Sequence, residues 1–377
     1  MTALRSQTGI RSCPPAVENE KDRRNKTMLE ELAEPLLSWY DGHARILPWR
    51  EEPTPYRVWV SEIMLQQTRV EAVKPYYERF MEALPGIREL AACPEERLLK
   101  LWEGLGYYNR VRNLKKAAEI LVEDYEGVMP QEYEAVLALP GIGSYTAGAV
   151  LSIAYGKCYP AVDGNVLRVL SRVTEDDRDI LKQSVKKAVE TELQAVMPKD
   201  RPGAFNQALM ELGATVCVPN GQAKCEECPL KAICRGHRDG TEMEFPKKAA
   251  KKPRRLEERT VLVLLRGEAR GIRKRPPKGL LSGLYELPNL SGHLKQEEVL
   301  EYLKKEGFSP LHIRKLPEAK HIFSHVEWQM IGYQVRLEDR ENDQKEPFLF
   351  VEPERLEQEY PIPSAFAAYV DFLRKKK

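Results

Sequence analysis

The chain has 377 residues, enough for two domains that each bury a core of their own. Its 59 Lys and Arg residues against 57 Asp and Glu residues give a net charge of +2, so a basic surface for nucleic acid must be local. The first 28 residues lack the apolar core of a signal peptide, and no apolar run is long enough to span a bilayer. We therefore expect a soluble, intracellular protein with no membrane partner.

The first helices follow a polar segment, residues 1–28, that we expect to be a disordered tail. Helical periodicity begins near Met28, and a second helix is predicted after Thr54-Pro55, which are suited to an N-cap and a first helical turn. That helix places Glu62 on an apolar stripe. A carboxyl group there is either satisfied by a local partner or poised for acid–base chemistry, and the sequence leaves both open.

Two glycine-containing turns come next along the chain. Residues 102–110 form a loop whose bulky tip either wedges between bases or packs an interhelical turn. Residues 139–148 predict a helix, a tight turn at Gly141 and Gly143, and a second helix. The N–H groups at such a turn can bind a phosphate, although a plain helical hairpin has the same spacing.

Four cysteines form the strongest metal signal in the chain. Cys217, Cys225, Cys228 and Cys234 are separated by seven, two and five residues. Four thiols this close indicate a metal centre, but their spacing does not separate a structural zinc ion from a [4Fe–4S] cluster.

Composition predicts the domain limits. Residues 29–234 are mainly helical, residues 235–258 form a basic linker, and residues 259–377 form an α+β domain. The linker is either a solvated tether or a strap that follows phosphates. Within the last domain, strands are predicted at 260–265, 284–288, 321–326, 328–337 and 347–351, and helices at 295–306 and 361–374.

Together these motifs resemble the MutY-type adenine DNA glycosylases of the helix-hairpin-helix, endonuclease III-like superfamily. The resemblance covers about residues 29–370. It rests on the hairpin, the cysteines and five further motifs, namely Leu-Pro-Trp-Arg at 47–50, Ser-Glu-Ile-Met-Leu-Gln-Gln-Thr at 61–68, Gly-Leu-Gly-Tyr-Tyr at 104–108, Val-Asp-Gly-Asn-Val at 162–166 and His-Ile-Phe-Ser-His at 321–325. It implies a mainly-α glycosylase domain whose four cysteines hold a [4Fe–4S] cluster, followed by an α+β Nudix-like domain that recognises 8-oxoguanine.

The reaction implied is hydrolysis of the N-glycosidic bond of adenine mispaired with 8-oxoguanine or guanine in double-stranded DNA. Such an adenine must be flipped out of the duplex before it can be reached. The oxocarbenium-like transition state then needs an acid for the leaving base and a carboxylate near the sugar. Glu62 suits the acid and Asp163 the carboxylate. By resemblance, Tyr145 and Asn165 orient groups near Asp163.

The resemblance also assigns contacts with DNA and with the base. An adenine pocket would include Trp49 and Arg50. DNA would be contacted by Gln67, Thr68, Tyr107, Gly141, Gly143, Phe323, Ser324 and His325. Lyase members of the superfamily carry a Lys two residues after the second Gly of the turn, where this chain has Tyr145. A phenol cannot form an imine, so we expect a monofunctional enzyme that leaves an abasic site.

Two other functions remain open from the sequence. A bifunctional endonuclease III-like glycosylase/lyase acting on oxidised pyrimidines would share the hairpin, the Asp and the cluster. A non-catalytic DNA-binding scaffold would use the hairpin and the cluster only to grip the backbone. For the favoured function we expect a monomer acting in base excision repair, cytoplasmic at a bacterial nucleoid, or nuclear or mitochondrial in a eukaryote.

Overall fold

The computed structural model describes residues 25, 27–250, 253–339 and 347–374. Most of the predicted tail and two lysines of the predicted linker, Lys251 and Lys252, lie outside these residues. Up to residue 250 the described elements are helical. The α-helices are α1 (Ala33–His43), α2 (Pro48–Glu51), α3 (Pro55–Leu65), α4 (Val70–Ala83), α5 (Ile87–Ala92), α6 (Glu95–Leu101), α7 (Asn109–Asp124), α8 (Tyr133–Leu137), α9 (Ser144–Tyr155), α10 (Gly164–Thr174), α11 (Gln183–Val196), α12 (Pro202–Thr215) and α13 (Arg235–Asp239).

Two compact units make up the chain, and each combines two segments. One consists of Met1–Arg45 and Leu151–Ala249, and the other of Ile46–Val150 and Ala250–Lys377. The domain limits expected from composition stay a prediction. In the described part of the chain, no helix is long and apolar enough to cross a membrane.

The core of the first unit is built around α10. Its buried Val166, Val169, Leu170 and Val173 follow the 3.6-residue period that places apolar side chains on one face. They belong to one core with buried leucines of α1 and α12. Each fully buried aliphatic side chain contributes about 1.5–3 kcal/mol through the hydrophobic effect.

In the second unit, α3 begins where the sequence predicts. The Thr54 hydroxyl accepts a hydrogen bond from the backbone N–H of Arg57, and Pro55 occupies the first turn. The predicted hairpin is also present as α8, a turn and the start of α9. Of its two glycines, only Gly141 adopts a left-handed φ, of 79°. A Cβ there would also lie 2.7 Å from Cβ of Asn113, so both the backbone and the space require glycine.

A seven-stranded sheet forms the C-terminal part of the same unit. Its strands are β1 (Arg255–Arg266), β2 (Ala269–Lys274), β3 (Tyr285–Glu286), β4 (Asn289–Ser291), β5 (Pro310–Ile322), β6 (Val326–Leu337) and β7 (Leu349–Val351). The order is β3-β2-β1-β6-β5, with β4 paired to β1 and β7 to β2. β1 runs parallel to β6, and the other pairs are antiparallel. Three helices accompany it: α14 (Gln296–Lys305), α15 (Pro353–Glu359) and α16 (Ala367–Arg374).

Both faces of the sheet are covered, which explains the continuous apolar run in β1. Val261 and Val263 belong to one core with the C-terminal Phe366 and Tyr369. The alternate residues Leu262 and Leu264 belong to a second core with side chains of α14. The side-chain period of two in a strand produces this division.

The predicted strands differ from the observed ones at the exposed edge. β5 runs from Pro310 to Ile322, whereas the predicted strand at 321–326 covers the turn that follows it, so that prediction was wrong at 323–325. β2, β4 and α15 were not predicted. β5 is mostly exposed, so its residues lack the alternation of apolar and polar side chains by which a half-buried strand is recognised.

Candidate active site

Glu62 and Tyr145 form a partly buried hydrogen bond in the second unit. Glu62 lies on α3 with only 5% of its surface exposed, and its carboxylate accepts a hydrogen bond of 2.5 Å from the Tyr145 hydroxyl at the start of α9. The sequence left open whether Glu62 is satisfied by a partner or poised for acid–base chemistry. Tyr145 is such a partner. That partner orients the carboxyl group without neutralising it, so acid–base chemistry remains available.

Two exposed side chains lie on strained backbone in the same unit. Gln67, just after α3, has φ of 59°, and Tyr107, just before α7, has φ of 49°. Thr68 adjoins the first of these, and its backbone N–H donates to the carbonyl of Leu65. A left-handed conformation is uncommon for residues other than glycine, and such strain concentrates at functional sites.

The Phe323–Ser324–His325 segment is a turn between β5 and β6. The backbone N–H of Phe323 donates to the carbonyl of Val326, and the Phe323 ring packs edge-on against Trp328, with the ring centroids 5.0 Å apart. Ser324 and His325 are exposed at its tip. The turn thus anchors one aromatic ring and presents a hydroxyl and an imidazole.

A cavity of about 690 Å³ brings this turn together with the Tyr107 loop. The two segments are joined directly, because the hydroxyls of Tyr107 and Ser324 lie 2.9 Å apart. The remaining lining comes from Arg112, residues 279–282, Leu284 and residues 363–365. The cavity is large enough for a nucleobase and offers both apolar and hydrogen-bonding groups.

Asp163 caps the N-terminus of α10 in the first unit. Its carboxylate accepts from the backbone N–H groups of Asn165 and Val166, both at 2.8 Å, and from the Asn165 amide at 2.7 Å. The side-chain Oδ1 of Asn165 accepts in turn from the Arg168 guanidinium. Burial raises the pKa of Asp163, although these hydrogen bonds and the charge of Arg168 oppose the rise. The result is an oriented and partly desolvated carboxylate.

The four clustered cysteines of the first unit line one small cavity. Apolar side chains, including Leu212 and Leu230, form much of its wall, and Arg172 donates to Sγ of Cys217 at 3.3 Å. Burial raises the pKa of Cys228 to about 12, so an electropositive centre is needed to hold that group as a thiolate.

The donor set fits a metal centre. Four thiols line one largely apolar cavity, and thiolates are the ligands that both structural zinc sites and [4Fe–4S] clusters use.

Comparison with known proteins identifies the family. Residues 60–198 match the model of the HhH-GPD superfamily of base excision DNA repair proteins, and residues 260–371 match that of the NUDIX domain. The human adenine DNA glycosylase is 37% identical over 80% of this chain, which covers 66% of the human protein. The adenine DNA glycosylase of Buchnera aphidicola subsp. Baizongia pistaciae is 35% identical over 77% of this chain, and 82% of its length is covered. The chain belongs to the adenine DNA glycosylase family.

The structural comparison supports the glycosylase fold. A thermostable thymine-DNA glycosylase, 28% identical, superposes with a TM-score of 0.51 over 59% of this chain and all of that one. The predicted fold class, a helix-hairpin-helix glycosylase domain followed by a Nudix-like domain, is confirmed. As a family member the chain is a DNA N-glycosylase of base excision repair, a hydrolase acting on adenine.

For four residues assigned by resemblance, the structure shows the surroundings and not the role. Trp49 is buried on α2, with its ring edge-on to Tyr77 at 5.4 Å, and the backbone N–H of Arg50 donates to the Leu47 carbonyl. The backbone at Gly141 and Gly143 is exposed at the hairpin tip. Their roles in this adenine DNA glycosylase stay predictions.

Sequence reasoning missed two arginines, one in each unit, that support candidate functional residues. Arg168 holds Asn165, and Arg110 bonds to the carbonyls next to Gln67 and Tyr107. Both stand on helices, where an Arg usually faces solvent, so the residue type alone gave no signal. An Arg on the buried face of an amphipathic helix is the pattern that could have revealed Arg168.

Proposed function

We propose that this adenine DNA glycosylase extrudes adenine paired with 8-oxoguanine or guanine, hydrolyses its N-glycosidic bond and leaves the strand intact. The observation that carries the proposal is the hydrogen bond between Tyr145 and Glu62. It sets a phenol beside the carboxyl group at the position where lyases of the superfamily carry an amine. Because a phenol cannot form an imine with the sugar, this site favours hydrolysis.

Glu62 is the proton donor in this mechanism. Its proton passes to the adenine as the bond from the base to C1′ breaks, so the base leaves neutral. The Tyr145 hydroxyl holds the carboxylate formed in this step. Glu62 then accepts a proton from the water that attacks C1′, which restores the starting state.

Asp163 stabilises the sugar cation. Its carboxylate is held by two backbone N–H groups and the Asn165 amide, so it needs little reorganisation when positive charge develops. Asn165 and, through it, Arg168 are positioning residues for this carboxylate. Glu62 and Asp163 thus divide the acid and the anionic roles between two different environments.

Recognition of the base opposite adenine falls to the Phe323–His325 turn. The lesion 8-oxoguanine differs from guanine by an oxo group at C8 and an N–H donor at N7. The Ser324 hydroxyl and the His325 imidazole can hydrogen-bond to these groups, and a site built for such bonds discriminates against a base that lacks them. Gln67, Thr68 and Tyr107 would fill the space left by the extruded adenine. The N–H groups of the hairpin at Gly141 and Gly143 would bind phosphate.

The test is single-turnover adenine release from A·8-oxoguanine, A·G and A·T duplexes, with borohydride added in parallel. We expect release from the first two and little from A·T, with no trapped complex. Release from A·T at a comparable rate would refute the recognition proposed here. Strand cleavage that keeps pace with base release would refute the hydrolytic route.

We further propose that Cys217, Cys225, Cys228 and Cys234 hold a [4Fe–4S] cluster. The cluster would cross-link the segment after α12 and so stabilise its fold. Protein purified without oxygen should carry about four irons per chain, as expected for this cluster type. Zinc without iron would contradict the assignment.

We propose that the enzyme acts on double-stranded DNA as a monomer, in the cytoplasm at a bacterial nucleoid, or in a eukaryotic nucleus or mitochondrion.

A further inference from the structure

Arg110, at the start of α7, connects two loops that are far apart in sequence. One guanidinium nitrogen donates to backbone carbonyls in the last turn of α3 and just after it. The other donates to backbone carbonyls in the loop before α7. The acceptors are Ile63 (2.7 Å), Met64 (3.1 Å) and Gln66 (2.7 Å) for the first nitrogen, and Leu105 (3.0 Å) and Gly106 (3.1 Å) for the second. A planar fork can reach both sets of carbonyls at once, which a single ammonium cannot do.

The C-terminal end of α3 accounts for part of this arrangement. The last carbonyls of a helix have no partner within the helix, and they carry the negative end of its dipole. Arg110 supplies both donors and positive charge there. Burial lowers the pKa of Arg110 to about 10, which still leaves the guanidinium charged at neutral pH.

The bound carbonyls adjoin the two strained residues described above. Gln66 precedes Gln67, and Gly106 precedes Tyr107. Residues 67 and 107 have left-handed backbones, which persist only where the surroundings determine them. The guanidinium also lies over the Tyr107 ring, 5.6 Å from its centroid.

Trp102 also supports the second loop. Its indole N–H donates to the Gly106 carbonyl at 3.1 Å, and Arg110 lies 5.3 Å from the centroid of its ring. The Gly106 carbonyl therefore receives two donors. These two hydrogen bonds fix the backbone immediately before Tyr107. Tyr107 itself is 49% exposed.

We propose that Arg110 is a positioning residue that presets Gln67 and Tyr107 as one unit for insertion at the extruded adenine. The inference rests on the proposed function, because it assumes that both side chains enter the duplex. Because the two loops are already ordered in the folded protein, the conformational entropy of ordering them is not lost during base extrusion. Arg110 should therefore affect extrusion and not the affinity for undamaged duplex.

The first experiment compares the wild-type full chain with Arg110→Lys. Lysine keeps the positive charge but cannot bridge the two loops. Extrusion is followed by the fluorescence of 2-aminopurine placed opposite 8-oxoguanine, and catalysis by single-turnover adenine release. We expect both rates to fall about tenfold or more, with affinity for an undamaged duplex changed by less than about twofold. The matched control is Arg355→Lys, which alters an exposed Arg paired with Glu359 and should change neither rate.

The double-mutant cycle separates positioning from a general structural role. In a Gln67→Ala, Tyr107→Ala background, Arg110→Lys should have no further effect beyond about twofold, because its targets are gone. A full additional tenfold loss in that background would overturn the inference. Active-enzyme concentrations are taken from product burst amplitudes, so misfolded protein does not enter the rates.

A substrate change supplies the second readout. Placing a mismatch beside the A·8-oxoguanine pair lowers the cost of unstacking the adenine. The Arg110→Lys defect should then shrink several-fold, and an unchanged defect would contradict a role in extrusion. If the wild-type enzyme releases no adenine, the proposed function fails. If the wild type is active and Arg110→Lys equals it, the inference about Arg110 alone fails.

Discussion

The hydroxyls of Tyr107 and Ser324 lie 2.9 Å apart although 217 residues separate them in sequence. Tyr107 belongs to a loop between two helices, and Ser324 to the turn between β5 and β6. One hydrogen bond thus joins the residue proposed to enter the duplex to the residue proposed to read the opposite base. If both proposed roles hold, this contact links the extrusion of adenine to the reading of the lesion.

Replacing Ser324 with Ala should weaken the preference for A·8-oxoguanine over A·G. The loss of one net hydrogen bond costs about 1 kcal/mol, or roughly fivefold in the ratio of the two kcat/KM values. Ser324→Thr keeps the hydroxyl and is the matched control. Tyr107→Phe removes the bond to Ser324 but leaves Ser324 itself able to bind the lesion, so it should preserve more of the preference. An unchanged ratio in Ser324→Ala would remove Ser324 from recognition.

Point substitutions test the Phe323–His325 turn better than a truncation that removes the chain after about residue 235 would. Ile46–Val150 and Ala250–Lys377 form one compact unit, and the N–H of Ile362 donates to the Glu103 carboxylate at 2.8 Å. Removing the second segment would therefore expose part of the first. A truncated protein that lost lesion preference could have lost it through misfolding.

Replacing Glu62 with Gln should abolish adenine release while leaving mismatch binding nearly intact. The amide keeps the size of the side chain but cannot donate the proton that the leaving base requires. General acid catalysis contributes about 10²–10⁴-fold, so the single-turnover rate should fall by at least that much. Tyr145→Phe, which removes only the hydroxyl, should cost far less. Near-normal rates in Glu62→Gln would rule out this acid.

Asn165→Ala should move the acidic limb of the pH–rate profile to higher pH. The mechanism needs Asp163 ionised, and its pKa is raised by burial, so activity should fall with decreasing pH at a value above that of an ordinary Asp. The Asn165 amide opposes this rise by bonding to the carboxylate. Removing it should raise the pKa further. A limb that does not move would mean that another group controls it.

Asp163→Asn should inactivate the enzyme but raise its thermal stability at neutral pH. A carboxyl group with a raised folded pKa stabilises the fold below its unfolded pKa and loses that contribution as pH rises through the folded pKa. Asn remains a good N-cap for α10 and carries no buried charge. The gain in Tm over the wild type should shrink as pH is lowered toward the acidic range. Lower stability of the variant at pH 7 would contradict this reasoning.

Tyr145→Lys should add lyase activity. The new amine would stand at the position now held by the phenol and could form an imine with the sugar. Borohydride should then trap a covalent complex on an A·8-oxoguanine duplex, and strand scission should follow base release. Tyr145→Met supplies a side chain of similar reach without an amine. Failure to trap the lysine variant would mean that residue 145 does not face the sugar.

Local features were well predicted because short-range chemistry decides them. Thr54 and Pro55 start α3 as expected, since capping and a fixed proline φ act within one turn. The hairpin at Gly141 and the buried strand β1 follow from glycine geometry and an apolar run. The edge strand β5 was largely missed, because it pairs on one side only and its exposed residues carry no periodic signal.

The sequence by itself determined the family, the hairpin and the set of candidate carboxylates and thiols, because these depend on residue types at fixed spacings. Only the tertiary structure decided which distant groups meet. Tyr145 bonds to Glu62 across 83 residues, and Arg110 bonds to carbonyls up to 47 residues away. Helix and strand packing sets these contacts, and no local propensity encodes them. Hydrogen bonds, which form only at short distances, then fix the orientation of the groups that this packing brings together.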